Sequence, residues 1–388
     1  MDRIAQRLKS IPSSGTLSVA DRVRDLRRQG ADIINFTNRP PVPAPVVEAA
    51  RKALGEAWTS GYTDTAGLPE LRQAIAEQMG RECGVVVDPD DQVIVTVGGK
   101  EGIFAALFAT VNPGDEVIIP DPSWVSYDPC VNFAGGVPVY VPSGRETGFH
   151  PDPNAIADAV TSKTKVIVLT TPHNPTGVVL ERKTLDAIAD VARRRDLLVL
   201  ADECYRHYLY DNHHHISMAS LPGMAERTLT VQTTSKIFNM FGWRVGWIAG
   251  PADIVGEMLK VHQHVVACAT AIAQAGALAA VRLERDYIAA TVNQYNGARD
   301  ALLAELATIP RIAAHKPEGA YFLFPDIRGL GMTSLEAARF FLDQAHVMTV
   351  PGSAFGSNGE GHVRLLFSCT EVEVRQAAAR IRDAVARL

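Results

Sequence analysis

The sequence predicts an α/β protein: a mainly parallel β-sheet covered by helices on both faces, followed by a smaller α+β unit. Two patterns carry this. From about Val93 to Gly250, short β-branched runs alternate with helical patterns (QVIVTV, DEVIIP, VPVYV, KVIVLTT, LLVLAD, LTVQTT and VGWIAG), as buried parallel strands joined by crossover helices do. After about Glu284 the order changes to one long helical pattern, strand-like GAYFLFPDI, a helical pattern from Ser334 to about His346, HVRLLFS and a final helix. The length, 388 residues, exceeds one compact domain, and 47% hydrophobic with 21% charged residues is ordinary globular composition.

Taken in order, the chain opens with polar MDRIAQRLKS, which has no apolar core of a secretory signal. An N-terminal arm, residues 1–45, ends in Pro-rich RPPVPAP and is expected to be extended and packed against the smaller unit. Residues 46–284 form the expected large domain and 285–388 the small one. The most apolar stretch, Val265 to Val281, is Ala-rich and interrupted by Gln274, which reads as a buried or interface helix rather than a membrane span. The scattered cysteines 83, 130, 204, 268 and 369 lack C-x-x-C spacing, so reduced thiols in a cytoplasmic protein are expected. A formal net charge of −5 and the lack of a basic stripe argue against a nucleic-acid partner.

Several strand-like runs end directly in polar or glycine-rich residues: GGKEG at Gly98–Gly102, PHNPTG at Pro172–Gly177, DECY at Asp202–Tyr205 and TTSK at Thr233–Lys236. Ligands gather at the carboxyl ends of strands in open α/β sheets, so these stretches converge on one expected site. By itself GGKEG is either a tight turn or a helix start whose free N–H groups cradle a phosphate. Asp202 is either a helix cap or a buried carboxylate that needs a partner. In TTSKIFNMFGWRVGW, Lys236 and Arg244 sit among apolar residues. They are either surface cations beside a core segment or a reactive amine and an anion-holding guanidinium.

The ordered set Y-x(4)-G, G-G-K, P-S-W, N-P-T-G, D-x-x-Y, S-K-x(7)-R and a late Arg resembles the class I/II aminotransferases, pyridoxal-phosphate enzymes of the aspartate aminotransferase fold (fold type I). The resemblance runs from about Ile33 to the C-terminus. It implies a seven-stranded sheet, pyridoxal 5'-phosphate as cofactor, amino-acid and 2-oxo-acid substrates, and a homodimer.

Residue by residue, the resemblance makes Lys236 the lysine that forms the Schiff base and later moves protons, with a pKa lowered by its surroundings. Arg244, backbone N–H groups of Gly99 and Lys100, and the Thr233 hydroxyl take the phosphate. The family usually has serine at the Thr233 position. Asp202 pairs with the pyridine nitrogen, Asn174 and Tyr205 with the ring's phenolic oxygen, and Trp124 stacks on the ring. Tyr62 reaches the neighbouring subunit's phosphate, and Arg364 grips the substrate α-carboxylate.

One stretch departs from the family pattern. Where G-x-P-D is usual beside the substrate carboxylate, this chain has FTNRPPVP, with Asn38 in the glycine position. Asn38, and Arg39 if it points inward, would intrude on the substrate site; the alternative is a lineage difference without effect. No second arginine stands out for a dicarboxylate side chain, so aspartate is not favoured as donor. His213–His215 read as a solvated loop rather than a metal tract, and His207 as a surface histidine. The rival functions are a same-fold enzyme that breaks another bond (a lyase, a decarboxylating or oxidative deaminase, a synthase) and a ligand-sensing regulator. The regulator needs a DNA-binding module, for which the sequence offers no residues ahead of the arm.

Overall fold

The computed structural model describes Leu8, Ile11 and residues 15–36, 38–283 and 285–388. Most of the polar N-terminal stretch, and the expected boundary at Glu284, lie outside these residues. Seven strands form the main sheet: β1 (Val93–Thr96), β2 (Glu116–Asp121), β3 (Val137–Pro142), β4 (Thr164–Thr170), β5 (Leu198–Asp202), β6 (Thr228–Thr233) and β7 (Gly246–Ala249). Their order is β1-β7-β6-β5-β4-β2-β3. Pairings from β6 through β5, β4 and β2 to β3 are parallel, and β7 alone runs antiparallel to its neighbours β1 and β6. Each of the runs read as a strand between about Val93 and Gly250 is one of these seven.

Strand alternation divides the burial between the faces. On β4, Val166 and Val168 pack with the helix Gly99–Thr110, whereas Ile167 and Leu169 pack with the helix Arg182–Arg195. Both faces of the inner strands are therefore buried, although β6 carries buried Thr228, Thr230 and Gln232 and the edge strand β3 is largely exposed.

A second sheet, of order β8-β10-β9, joins β8 (Phe322–Leu323), β9 (Val350–Pro351) and β10 (Val363–Leu366), all antiparallel. It packs with the helices Ser334–Ala345 and Glu371–Val385. The first of these starts at a capping box: the Thr333 N–H donates to Glu336 and the Thr333 hydroxyl accepts from the Glu336 N–H. The same core cluster runs back to Val93 and Val95 of β1 and to Tyr205, so the two sheets share apolar packing.

Two elements differ from the sequence expectation. The arm contains a helix, Gly15–Arg28, whose Val23 and Leu26 bury against Ile33 and Leu342. That i, i+3 pair is too short a stripe to reveal a helix in isolation. The arm does pack on the C-terminal part, since the Ile34 N–H donates to His346 O at 2.9 Å and Ile34 O accepts from the Met348 N–H at 2.9 Å. The Val265–Val281 stretch is not one helix: Ala252–Val266 ends at Ala267 (φ +66°), and a new helix spans Ala271–Val281. Among the described residues no helix is long and apolar enough to cross a membrane.

The long helix Arg285–Leu306 is tied to the strand-end region by one buried cation. The Arg299 side chain is fully buried. It donates to both Asp211 oxygens (2.8 and 3.0 Å) and to Pro317 O (2.9 Å), and lies 4.5 Å from the centre of the Tyr210 ring. Hydrogen bonds from Arg299, with Lys316 beside it, hold the Asp211 carboxyl at about 2 instead of 3.8. A carboxyl depressed on folding stabilises above its unfolded pKa, and that contribution is lost as pH falls through the folded value. Because the Asp211 carboxylate is 40% exposed and solvent screens the pair, Arg299→Met is expected to lower unfolding free energy by only about 1 kcal/mol at pH 7. In urea titrations the wild-type advantage should shrink between about pH 4 and pH 2. An advantage independent of pH across that window would contradict the assignment of this ion pair.

Candidate active site

At the carboxyl ends of β4, β5 and β6 lies a cavity of about 350 Å³, lined by Gly99, Lys100, Ile103, Trp124, Asn174, Asp202, Cys204, Tyr205, Thr233, Ser235, Lys236 and Arg244. It holds every expected cofactor residue except Tyr62, which is 87% exposed.

The anion end is built by backbone. Gly98 (φ +74°) caps the helix Gly99–Thr110 in a conformation that suits glycine, and its α-hydrogen faces Arg244, into whose guanidinium a side chain would run. Arg244 is steadied by donation from Nη1 to Phe241 O at 2.9 Å. Free N–H groups at the helix start and this guanidinium make an anion cradle. The Thr233 hydroxyl donates to Val245 O (2.8 Å) and accepts from the Ser235 N–H (3.0 Å), so its proton is already used. Ser235, beside it in the cavity wall, entered the sequence reading only as the first residue of S-K-x(7)-R and was given no role there.

Lys236 is partly buried, with Nζ 5.5 Å from the centre of the Tyr205 ring and 5.2 Å from that of Phe241. Among the described residues no carboxylate lies within 4 Å of this amine. At the cavity floor the Asp202 carboxylate accepts from Tyr127 OH at 2.8 Å and from the Cys204 N–H at 3.1 Å. Tyr127, fully buried, also meets Thr170 Oγ1 at 2.6 Å. Burial, and then the Asp202 charge, push the Tyr127 phenol well above its usual pKa, so it stays a donor. Tyr127 too escaped the sequence reading, because an aromatic residue in the helix Tyr127–Ala134 looks like core. Trp124 stands edge-on to Tyr127, ring centres 5.3 Å apart, and forms the side wall.

Asn174 is buried between cis peptides at Thr171–Pro172 and Asn174–Pro175, and its Oδ1 accepts from Arg364 Nη1 at 2.7 Å. Arg364, on β10, lies between Phe322 and Phe355, 4.7 Å from each ring centre. Its Nε is buried with no hydrogen-bond partner, and desolvation pulls its pKa down to about 10. An uncompensated guanidinium in such a slot favours an anionic occupant. Burial likewise raises the Tyr205 phenol well above 10.

Of the FTNRPP residues, Asn38 is exposed and outside the cavity wall. Its neighbour Arg39, also outside the cavity wall, is partly buried, with its guanidinium carbon 4.6 Å from the centre of the Phe241 ring. His207 is largely buried instead of lying on the surface, and His215 turns inward, 3.1 Å from the buried Glu203 carboxylate. Burial acts to raise Glu203, but His215, Ser217 and the Met218 N–H together hold it below the usual range. Among the described residues no group of three or more His, Cys, Asp or Glu is placed to hold a metal ion.

The comparison with known proteins decides the family. Residues 33–381 match the family model described as aminotransferase class I and II. The chain belongs to that family. A probable aspartate/prephenate aminotransferase of Thermus aquaticus is 39% identical over 99% of this chain and 100% of its own. Among solved structures, an aspartate aminotransferase from Thermus thermophilus with maleate is 37% identical, with a TM-score of 0.93, 99% of this chain and 100% of that one covered. An aromatic aminotransferase from Pyrococcus horikoshii OT3 is 36% identical, with a TM-score of 0.89 over 94% and 99% of the chains.

This aminotransferase is a pyridoxal-phosphate enzyme of fold type I that acts on small molecules. The cavity fits the cofactor: it pairs an anion cradle, a lysine amine and a carboxylate already supplied with donors. Tyr127→Phe removes one donor from Asp202 and leaves Thr170 Oγ1 short of a partner. Cofactor affinity is expected to fall about tenfold, the worth of one hydrogen bond to a charged group, with the fold intact by circular dichroism. Titration of the apo-protein by fluorescence reads this; unchanged affinity would show that Tyr127 does not position Asp202.

Proposed function

We propose that this enzyme moves an amino group between an amino acid and a 2-oxo acid by way of the cofactor that Lys236 would anchor, with Arg364 receiving the substrate α-carboxylate. The single observation that carries the reading is Arg364: a guanidinium clamped between two phenyl rings, one nitrogen on Asn174 and its buried Nε unpaired. A carboxylate there meets a fixed, desolvated fork. The cofactor, when bound, supplies an electrophilic carbon for the amine and a ring that takes up electrons. The chain's own residues do the rest. Lys236 Nζ takes the proton from the substrate α-carbon, close to the wall of Tyr205 and Phe241. Asp202, held by Tyr127 and the Cys204 N–H, keeps a proton on the ring nitrogen. Asn174 and Tyr205 would take the ring's phenolic oxygen, Trp124 would cover the ring and exclude water, and Arg244 with Gly99, Lys100 and Ser235 would hold the phosphate.

The same proposal places residues 46–284 in a large cofactor domain and 285–388 in a small domain, with the arm 1–45 packed against the latter. It takes the active form as a cytoplasmic homodimer in which Tyr62 serves the neighbouring site. The 87% exposure of Tyr62, a large aromatic next to the partly exposed Trp58, supports a partner over that surface. The exposure of Asn38 on the single chain supports transamination over a different bond cleavage.

Incubation of the purified protein with amino acids and 2-oxo acids should give exchange of the amino group. Lys236→Ala should lower turnover by at least about 10⁴-fold, since it removes both the covalent anchor and the proton carrier. Borohydride treatment of the wild type should leave cofactor mass on the peptide that contains Lys236. A Lys236→Ala protein that still exchanges amino groups at the wild-type rate would refute the reading.

A further inference from the structure

The main sheet and the second sheet meet in a tie that neither the cofactor residues nor the substrate arginine explains. Asp121 ends β2, and its side chain is buried. One of its oxygens, Oδ2, accepts from Ser357 Oγ at 2.8 Å, from the Asn358 N–H at 3.1 Å and from Asn358 Nδ2 at 2.8 Å. These donors, converging on one oxygen, offset the cost of taking a carboxylate out of water. The other oxygen, Oδ1, is buried without a partner and faces Gly356 (φ +121°), where a side-chain carbon would run into it. Ser357 and Asn358 belong to the loop between β9 and β10, so a residue of the main sheet holds a loop of the second one.

The tie ends beside the substrate slot. Phe355, next to Gly356 in the chain, supplies the ring against one face of Arg364, at 4.7 Å. Its backbone O accepts from the Ser123 N–H at 2.7 Å, close to Asp121 in the chain, and Trp124 of the cavity wall follows at once. The far end of the loop is held differently. There Glu360 accepts from the Ser334 N–H at 2.7 Å and from the Ser334 hydroxyl at 2.6 Å, at the start of the helix Ser334–Ala345. Glu360 shapes the loop within its own unit, and Asp121 fixes where the loop stands relative to Lys236 and the cavity.

We propose that Asp121 is a positioning residue for the substrate α-carboxylate: through Ser357, Asn358 and Phe355 it sets where the Arg364 fork stands over the cavity. This rests on the reading of Arg364 given above. Asn174 takes one Arg364 nitrogen and Phe322 and Phe355 take its faces, so its alignment depends on where those rings are held. A fork that is already aligned binds a carboxylate well, and a misplacement of about 1 Å costs up to about 100-fold. Loss of the tie leaves the cofactor residues in place, because Lys236, Asp202 and Arg244 sit on strands and turns of the main sheet. The effect is therefore confined to ligands that carry the carboxylate. In the sequence Asp121 is merely the residue before P-S-W, and its partners lie 236 and 237 residues further on.

The test compares 2-aminoisobutyrate, which has no α-hydrogen to lose, with tert-butylamine, in which a methyl group replaces the carboxylate. Each is titrated into the holoenzyme and read by the change in cofactor absorbance. The wild type should bind the acid at least about tenfold more tightly than the amine, and Arg364→Met should erase that preference. Asp121→Asn should weaken the acid about tenfold and change the amine by less than about threefold. Affinity of the apo-protein for pyridoxal 5'-phosphate should also stay within about threefold. The double variant Ser357→Ala/Asn358→Ala removes side-chain donors from the loop and should behave alike, so the inference stays testable should Asp121→Asn not fold. Variants that weaken acid and amine equally, or neither, overturn the assignment of Asp121. A preference that survives Arg364→Met overturns the reading of Arg364 and this inference with it. A preference lost in Arg364→Met but intact in the Asp121 and loop variants overturns this inference alone.

Discussion

Backbone of β7 and backbone at the start of the helix Gly99–Thr110 touch, and the rest of the site depends on that contact. A side-chain carbon on Gly246 would lie 2.6 Å from the Gly99 nitrogen and 2.9 Å from Gln232 O, closer than any real side chain tolerates. Glycine there lets β7 press against the strand-to-helix turn, and Arg244, two residues earlier, is carried to Gly98. The antiparallel β7 thus returns the chain from Lys236, after β6, to the helix N-terminus. Lys236 and Arg244 both lie in the connection between β6 and β7, and the close seating of Gly246 brings that connection, with both cations, to the wall of one cavity.

The site treats its charges unequally, and the differences follow from burial. Asp202 is satisfied within the protein, by Tyr127 and the Cys204 N–H, so it is set before any ligand arrives. Arg364 is deliberately incomplete: Asn174 takes one nitrogen and Phe322 and Phe355 take the faces, which leaves Nε for an incoming group. Arg39 is a middle case, anchored through Ser368 and Phe241, with no acceptor for its terminal nitrogens among the described residues. Preorganised groups on the cofactor side and the unfilled Arg364 on the substrate side divide the work between holding a resident molecule and recruiting a transient one.

The main sheet was legible because its strands are short runs rich in β-branched and apolar residues that stand out between helices, even where β6 carries buried threonines and Gln232. The strand-end motifs were legible for a related reason: polar residues directly after an apolar run have few places to go except the ligand crevice. What the sequence hid depends on partners distant in the chain. Tyr127 looks like core until Asp202 is placed beside it. Ser235 was overshadowed by Lys236, Arg39 by the unusual Asn38 next to it, and His215 by an exposed neighbour, His214. The break at Ala267 escaped notice because alanine-rich sequence favours helix on both sides of it, and the left-handed residue is not a glycine.

The central claim is that Arg244 and the helix start at Gly98–Gly99 form one cradle for the phosphate, and that this end supplies much of the grip on the cofactor. The direct measurement compares binding of pyridoxal 5'-phosphate and unphosphorylated pyridoxal to the apo-protein, with inorganic phosphate as competitor. The account predicts that the phosphorylated form binds at least about 100-fold more tightly, the worth of two charge-assisted hydrogen bonds. It also predicts that Arg244→Gln removes most of that gap. Equal affinity for the two forms, or a gap untouched by Arg244→Gln, would contradict it.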